Sequence, residues 1–176
     1  MKRIIIVNGL IAGAIVSAML LISMPLHKSG ILNFDSGMLT GYASMVIALS
    51  MIFFGIKSYR DAHQGGVITF LQGLKIGLLI TLIAAILYAI TWEFYFAMDG
   101  GSFMASYSEY YLNKMAAEGA SETKIIEAKK EMDDFNQMYK NPAIRFAMTL
   151  AEILPVGILI TLFASLVLRK KQPVVA

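Results

Sequence analysis

Residues 4–24 read IIIVNGLIAGAIVSAMLLISM, twenty-one residues without a charged side chain. At about 1.5 Å per residue a helix of this length reaches about 31 Å, which matches the ~30 Å hydrocarbon core of a bilayer. A signal peptide is the alternative, because Lys2 and Arg3 precede the run. However, the run exceeds the roughly 7–15 apolar residues of such a peptide and no Ala-x-Ala cleavage site follows. We therefore expect a retained first membrane span over Ile4 to Met24.

Three further apolar runs of helical length follow, and they are Met38 to Ile56, Ile76 to Phe96 and Phe146 to Leu168. A membrane strand would alternate over about ten residues, whereas these runs are apolar on all sides. The whole chain is 57% hydrophobic and only 15% charged, against about 25% charged in a soluble domain. The sequence therefore predicts an all-α membrane protein with a single four-helix transmembrane domain over residues 1–176.

The connection over residues 97–145 is too polar to lie within the membrane. Aromatic residues at near-helical spacing predict an amphipathic helix that ends around Gly119, and Ser121-Glu122 begins a second helix. The second helix has apolar residues at alternating spacings of three and four, and they are Ile125, Ala128, Met132, Phe135 and Tyr139. We expect a helical extramembrane hairpin between membrane helices 3 and 4, packed on the bundle or on a neighbouring copy.

Basic residues next to the spans predict the orientation in the membrane. The N-terminus, the second connection and the C-terminus with Arg169, Lys170 and Lys171 hold eight basic residues within 30 residues. The other two connections hold seven within 62 residues. Because Lys and Arg close to span ends are retained in the cytoplasm, we expect both termini to be cytoplasmic.

Several short motifs resemble a known family. They are the stretch Gly55 to Asp61, Gly65-Gly66, the stretch Phe70 to Gly77, Asn141-Pro142, Glu152, Pro155, Gly157 and the closing Arg169-Lys170-Lys171. Together they are similar to the domain of unknown function 4199 family, small four-span proteins found mainly in Bacteroidota bacteria. The resemblance covers nearly the whole chain and implies a bacterial cytoplasmic (inner) membrane location. It implies no activity, cofactor or catalytic residue, because the family has none assigned.

Small residues recur at four-residue spacing in all four spans. The glycines among them are Gly9, Gly13, Gly37, Gly41, Gly73, Gly77 and Gly157. Such ridges let helix backbones approach closely in lipid, where packing drives helix association. They predict contacts within one bundle or, alternatively, a homo-oligomer.

Glu93 and Glu152 are the two ionisable residues within the predicted spans. A charge at mid-membrane costs about 2.5–3.5 kcal/mol on insertion scales, so such residues usually face the protein interior. Pro155 frees a helix carbonyl close to Glu152, and a carboxylate beside it could form a proton or cation site. The alternative is structural pairing, because Arg145 shares a helix face with Glu152 and lies near the depth of Glu93.

The second connection combines basic residues with a glycine turn before the third span. The candidate residues for a lipid phosphate are Lys57, Arg60, Gly65, Gly66 and Lys75. Amides at a helix N-terminus together with basic side chains bind anions. Positive-inside retention explains the same residues, and neither phosphate-binding glycine motif for nucleotides is present.

No enzyme signature, metal site or cofactor is expected. His27 and His63 fall on opposite sides of the membrane in this topology, and the chain has no Cys. The net charge of +3 requires no nucleic acid, because the surplus lies at the membrane edge. The sequence favours a non-enzymatic protein of the lipid bilayer, as a homo-oligomer or an accessory subunit with an unidentified membrane-protein partner. The alternative is a small proton- or ion-coupled transporter or channel subunit that uses Glu152 and Glu93.

Overall fold

The computed structural model describes residues 1–170, so Lys171 lies outside the described residues. The described part contains seven α-helices. They are α1 (Lys2–Lys28), α2 (Phe34–Leu49), α3 (Met51–His63), α4 (Phe70–Asp99), α5 (Ser102–Ala117), α6 (Glu122–Tyr139) and α7 (Pro142–Leu168).

Four helical segments are long and apolar enough to cross a membrane, and they are Lys2–Lys28, Phe34–His63, Phe70–Asp99 and Pro142–Leu168. The chain is an all-α, multi-pass membrane protein, as the sequence predicts. The helices extend beyond the apolar runs because polar caps outside the runs satisfy their first amides. Thr69 and Gln72 form a capping box on α4, and the Asn141 side chain accepts from the Ala143 amide at 3.0 Å at the start of α7.

The second span is one 30-residue helical segment, Phe34–His63, with a turn at Ser50 that keeps helical backbone angles. Helix α2 ends at Leu49 and α3 begins at Met51. The Ser50 hydroxyl donates to the Ile47 carbonyl at 2.6 Å. A serine that bonds back to the preceding turn competes with the helical ladder and bends the helix. The Ser50 amide nevertheless donates to the Val46 carbonyl at 3.0 Å, so α2 and α3 continue one another as a single span.

Helices α4 and α7 form an antiparallel pair, and α1 runs parallel to α4. Gly73 of α4 lies against Ser165 of α7, and Gly77 lies against Thr161. Gly9 and Gly13 of α1 lie against Ile83 and Leu87 of α4, so numbers rise together along these two helices.

The described parts of both terminal regions lie at one end of the bundle, together with the α3–α4 connection. Ile68 in that connection and Lys170 form an antiparallel bridge, with backbone hydrogen bonds of 3.2 and 3.0 Å. We call this the terminal end and the opposite end, which carries α5 and α6, the hairpin end. Helix α1 begins at the terminal end because it runs parallel to α4.

Helices α5 and α6 form the expected hairpin, which packs on its own bundle. Gly119, at φ +81°, ends α5 near the predicted residue. Phe103 of α5 packs edge-on to Trp92 of α4 with ring centroids 5.6 Å apart. Tyr139 at the end of α6 packs on Phe96 with centroids 5.7 Å apart. The hairpin thus closes over one end of the membrane helices.

Candidate functional site

A cavity of about 400 Å³ lies among α1, α2, α4 and α7 at the hairpin end of the bundle. The hairpin forms its roof, to which Phe103 and Tyr107 of α5 and Phe135 and Tyr139 of α6 contribute rings. We call this space the hairpin-end cavity. Its volume lies within the range of about 300–1,000 Å³ that is usual for small-molecule sites.

Most of the cavity wall is apolar and adaptable. Five methionines line it, and they are Met19, Met24, Met38, Met45 and Met104. Methionine is unbranched and polarizable, so it adjusts to ligands of irregular shape. Met38 and Tyr42 on α2 are 63% and 47% exposed although both line the cavity. The cavity therefore opens beside α2.

Glu152 of α7 lies on the wall of this cavity. Within residues 1–170 its carboxylate makes no hydrogen bond and no ion pair. Helix α7 continues through Pro155, about one turn beyond Glu152. Pro155 is exposed and does not line the cavity. The structure therefore places an unpaired carboxylate in the cavity, about ten residues from the start of α7.

Glu93 does not share this site, because it is paired with Arg145. The guanidinium binds both carboxylate oxygens, with Arg145 Nε 2.8 Å from Glu93 Oε1 and Nη2 bonded to Oε2. Arg145 also donates to the Tyr139 carbonyl at 3.0 Å and lies 3.9 Å from the centre of the Phe96 ring. The bidentate pair, the third acceptor and the stacked ring together hold the guanidinium in place beside Glu93.

Tyr139 and His27 both line the cavity, and they differ in whether their polar atoms have a hydrogen-bond partner. Trp92 Nε1 donates to the Tyr139 hydroxyl at 2.8 Å, and burial raises the pKa of the Tyr139 phenol above its usual value. His27 stacks on Phe34 with centroids 5.4 Å apart. Its Nδ1 is buried without a hydrogen-bond partner in the described chain.

One ion pair joins α1 to the end of α4, next to the hairpin, and a second joins the hairpin to α2. Lys28 at the end of α1 binds Asp99 at 2.6 Å, and Asp99 also accepts from the Phe103 amide at 2.7 Å. Lys114 of α5 binds Asp35 at 2.9 Å, and Tyr110 donates to the same carboxylate at 2.6 Å. These hydrogen bonds to Asp35 raise the pKa of Lys114 and of Tyr110. The roof is thus attached to α2 by Asp35 and to the end of α4 by Asp99.

Comparison with known proteins identifies the family. The family model described as Protein of unknown function (DUF4199) matches residues 8–170. The chain belongs to this family. No curated protein and no solved structure matches the chain. In this DUF4199 protein the matched region includes every residue that lines the hairpin-end cavity.

The small-residue ridges of this DUF4199 protein are used mostly inside the bundle. A Cβ added at Gly13 would lie 2.5 Å from Leu87, one at Gly77 2.5 Å from Thr161, and one at Gly73 2.9 Å from Ser165. Gly9 faces Ile83, and Gly157 faces Thr81. These five glycines thus allow close helix contacts within one chain.

Of the two glycines in the second span, one contacts another helix and the other does not. Gly37 faces the His27 ring, whereas a Cβ added at Gly41 would meet no atom within 4 Å in the described part of the chain. Gly41 also lines the cavity. It is therefore a glycine that borders open space rather than a neighbouring helix.

The candidate phosphate residues lie at the terminal end, but several are already engaged. Arg60 binds Asp61 at 2.7 Å and donates weakly to the Leu168 carbonyl at 3.5 Å. The Thr69 hydroxyl accepts from the Gln72 amide at the N-terminus of α4. The amide of Gly66, which like Gly65 has a left-handed backbone, donates to the Arg60 carbonyl at 3.0 Å, whereas the side chains of Lys57 and Lys75 make no hydrogen bond or ion pair within the described residues.

The sequence did not single out Asp99, and it did not predict that Trp92 and Tyr139 bond to each other at the roof of the cavity. Asp99 precedes Gly100-Gly101-Ser102, and an aspartate before a glycine turn and a new helix is a recognisable capping signal. No local signal reveals the Trp92–Tyr139 bond, because 47 residues separate its partners. Within residues 1–170 no group of three or more His, Cys, Asp or Glu side chains could hold a metal ion.

Proposed function

We propose that this DUF4199 protein is a non-enzymatic accessory protein of the bacterial inner membrane, and that its hairpin-end cavity binds a small apolar molecule from the bilayer. In this proposal both termini are cytoplasmic and the hairpin is external. The observation that carries it is the cavity of about 400 Å³ that opens beside the exposed Met38 and Tyr42.

The composition of the cavity wall supports binding of an apolar ligand. Methionine and aromatic side chains provide most of the lining, with few polar groups. Ligand sites in proteins are concave and mostly apolar, with a small number of polar groups that orient the ligand. An opening on the bilayer side would admit a molecule that is already dissolved in lipid.

An accessory role has more support than self-association through glycine ridges. Gly9, Gly13, Gly73, Gly77 and Gly157 all face helices of the same chain. A dimer would therefore need a different surface. We propose that an unidentified membrane protein receives the ligand or senses its presence.

The transport alternative depends on Glu152 and Glu93 acting along one path. Glu93 binds Arg145 instead, and the cavity lies in the hairpin-end half of the bundle. One unpaired carboxylate in a cavity confined to half of the bundle favours binding over a pathway across the membrane.

The single tryptophan provides a direct test, because Trp92 lines the cavity. The protein in phosphatidylcholine nanodiscs would be titrated with 4-phenylbutanol while Trp92 emission is recorded, and empty nanodiscs would correct for partitioning. We expect a saturable change in emission. Gly41→Phe should weaken binding by about tenfold or more, because the added ring occupies the cavity and Gly41 borders open space.

Leu39→Phe is the matched control. It adds an aromatic ring to the same helix, at a side chain that is 74% exposed and does not line the cavity. Its affinity for 4-phenylbutanol should equal that of the native protein. A non-saturable change in the native protein, or equal effects of the two substitutions, would overturn the proposal.

A further inference from the structure

Within residues 1–170, the ion pairs near the hairpin end leave Glu152, the carboxylate on the cavity wall, without a partner. Lys28 is bound to Asp99, Lys114 to Asp35 and Arg145 to Glu93. These pairs lie at the roof and at the adjoining ends of α1, α2 and α7. Glu152 faces the cavity with no cation from the described chain beside it.

Within residues 1–170, no basic side chain and no hydrogen-bond donor pairs with the Glu152 carboxylate. Arg145 is two turns away on the same helix, and its guanidinium binds Glu93 and the Tyr139 carbonyl rather than Glu152. The Thr149 hydroxyl, one turn away, donates to the Arg145 carbonyl at 2.9 Å. Glu152 is exposed and lines the cavity, so its carboxylate is free to bind a ligand there.

An ionised carboxylate only accepts hydrogen bonds, so its natural ligand is a donor that also carries positive charge. The wall near Glu152 includes the rings of Tyr88, Trp92 and Tyr139. Aromatic faces attract ammonium groups, and the attraction is stronger where water is excluded. A carboxylate and aromatic rings on one cavity wall are suited to the same cation.

We propose that Glu152 binds the protonated amine of a compact apolar ligand whose hydrocarbon part lies among the methionines and aromatic rings of the hairpin-end cavity. This inference rests on the proposed function and specifies its ligand class. The ligand is an apolar amine, with the ammonium group toward α7 and the apolar body toward α1, α2 and the roof.

The test compares two probes of nearly equal shape, 4-phenylbutylamine and 4-phenylbutanol, with Trp92 emission as the signal. Both are titrated into the protein in phosphatidylcholine nanodiscs at about pH 7, with empty nanodiscs as the partition control. We expect the native protein to bind the amine about tenfold more tightly than the alcohol. Glu152→Gln keeps the shape and removes the charge, so it should abolish this preference and leave the affinity for the alcohol unchanged.

Glu109→Gln is the matched control, because it removes the same charge from an exposed position on α5 that does not line the cavity. It should keep the preference for the amine. Equal affinities of the two probes for the native protein would overturn the amine assignment even if Glu152→Gln failed to fold. So would a preference that survives in Glu152→Gln.

The two proposals fail in different ways. If the alcohol and the amine bind equally well and saturably, the cavity binds apolar molecules but Glu152 does not select amines. If neither probe changes Trp92 emission in the native protein, the proposed function itself fails, and the amine assignment fails with it.

Discussion

Arg145 is only 5% exposed, and its charge is balanced by Glu93. Removing one partner of such a pair leaves the other charge uncompensated, which costs about 3–5 kcal/mol when both are fully buried. The Glu93 side chain is 23% exposed, so part of the cost is relieved by solvent or lipid headgroups. We expect Arg145→Met to lower the free energy of unfolding by about 2–3 kcal/mol, measured by denaturant unfolding in mixed micelles.

Combining Arg145→Met with Glu93→Gln is the control, because the double variant leaves no unpaired charge. It should recover more than half of the lost stability. A double variant as unstable as the sum of the two single variants would show that the pair is not the cause.

Tyr139 provides a pH-dependent contribution to stability. Burial raises the pKa of its phenol, so ionisation is easier in the unfolded chain than in the folded one. Its contribution is therefore complete below the unfolded value of about 10 and is lost as the pH rises through the folded pKa. Tyr139→Phe should remove this part of the loss above about pH 10 in thermal unfolding, and should cost about 1 kcal/mol at pH 8 because the Trp92 bond is lost. An unchanged pH profile would contradict this assignment.

At the scale of helices, the contact between α4 and α7 depends on the absence of side chains at glycine. A Cβ at Gly77 would lie 2.5 Å from Thr161 Cγ2 and 3.0 Å from Ile52 Cγ2. We expect Gly77→Ala to destabilise the bundle by about 1–3 kcal/mol through overpacking, measured by thermal unfolding in detergent. Thr161→Ala in the same chain should restore much of the loss, because it removes the atoms that clash.

Gly41→Ala is the matched control for helix propensity. Both glycines lie inside helices, but a Cβ at Gly41 would meet nothing within 4 Å among the described residues. It should be neutral or stabilising by up to about 1 kcal/mol. Equal destabilisation by the two alanines would mean that helix packing at Gly77 is not the cause.

For the whole molecule, the orientation in the membrane can be tested cleanly because the chain has no Cys. Ser121→Cys introduces a thiol at the exposed α5–α6 turn, and Ala62→Cys introduces one near the exposed end of α3. In spheroplasts a membrane-impermeant maleimide should label only the first variant. After permeabilisation it should label both, which is the control for accessibility. Labelling of Ala62→Cys alone in intact spheroplasts would reverse the proposed topology.

Some features of the fold follow from short stretches of sequence, and others do not. The four apolar runs and the signals at Asn141-Pro142 and Gly119 predict helices close to where they lie. The turn at Ser50 has no such signal, because a single serine in an apolar run is compatible with an unbroken helix. The bond from its hydroxyl to the Ile47 carbonyl is visible only in the structure.

The candidate site also has features that the sequence predicts and features that only the structure reveals. Glu93, Arg145 and Glu152 are conspicuous in the sequence because charges are costly in lipid. The sequence could not say which carboxylate Arg145 binds, since Glu152 is seven residues from it and Glu93 is on another helix. The register of α4 against α7 places Glu93 within 2.8 Å of the guanidinium and leaves Glu152 in the cavity.

The sequence by itself determined the all-α membrane class, the four spans and the hairpin, because transfer into lipid and local backbone capping depend on neighbouring residues. Only the tertiary structure decided that five glycine positions serve contacts within the chain, that Arg145 belongs to Glu93, and that a cavity lined by Glu152 lies under the hairpin. The physical reason is that these features depend on the rotation and register of helices distant in sequence, which no single helix specifies.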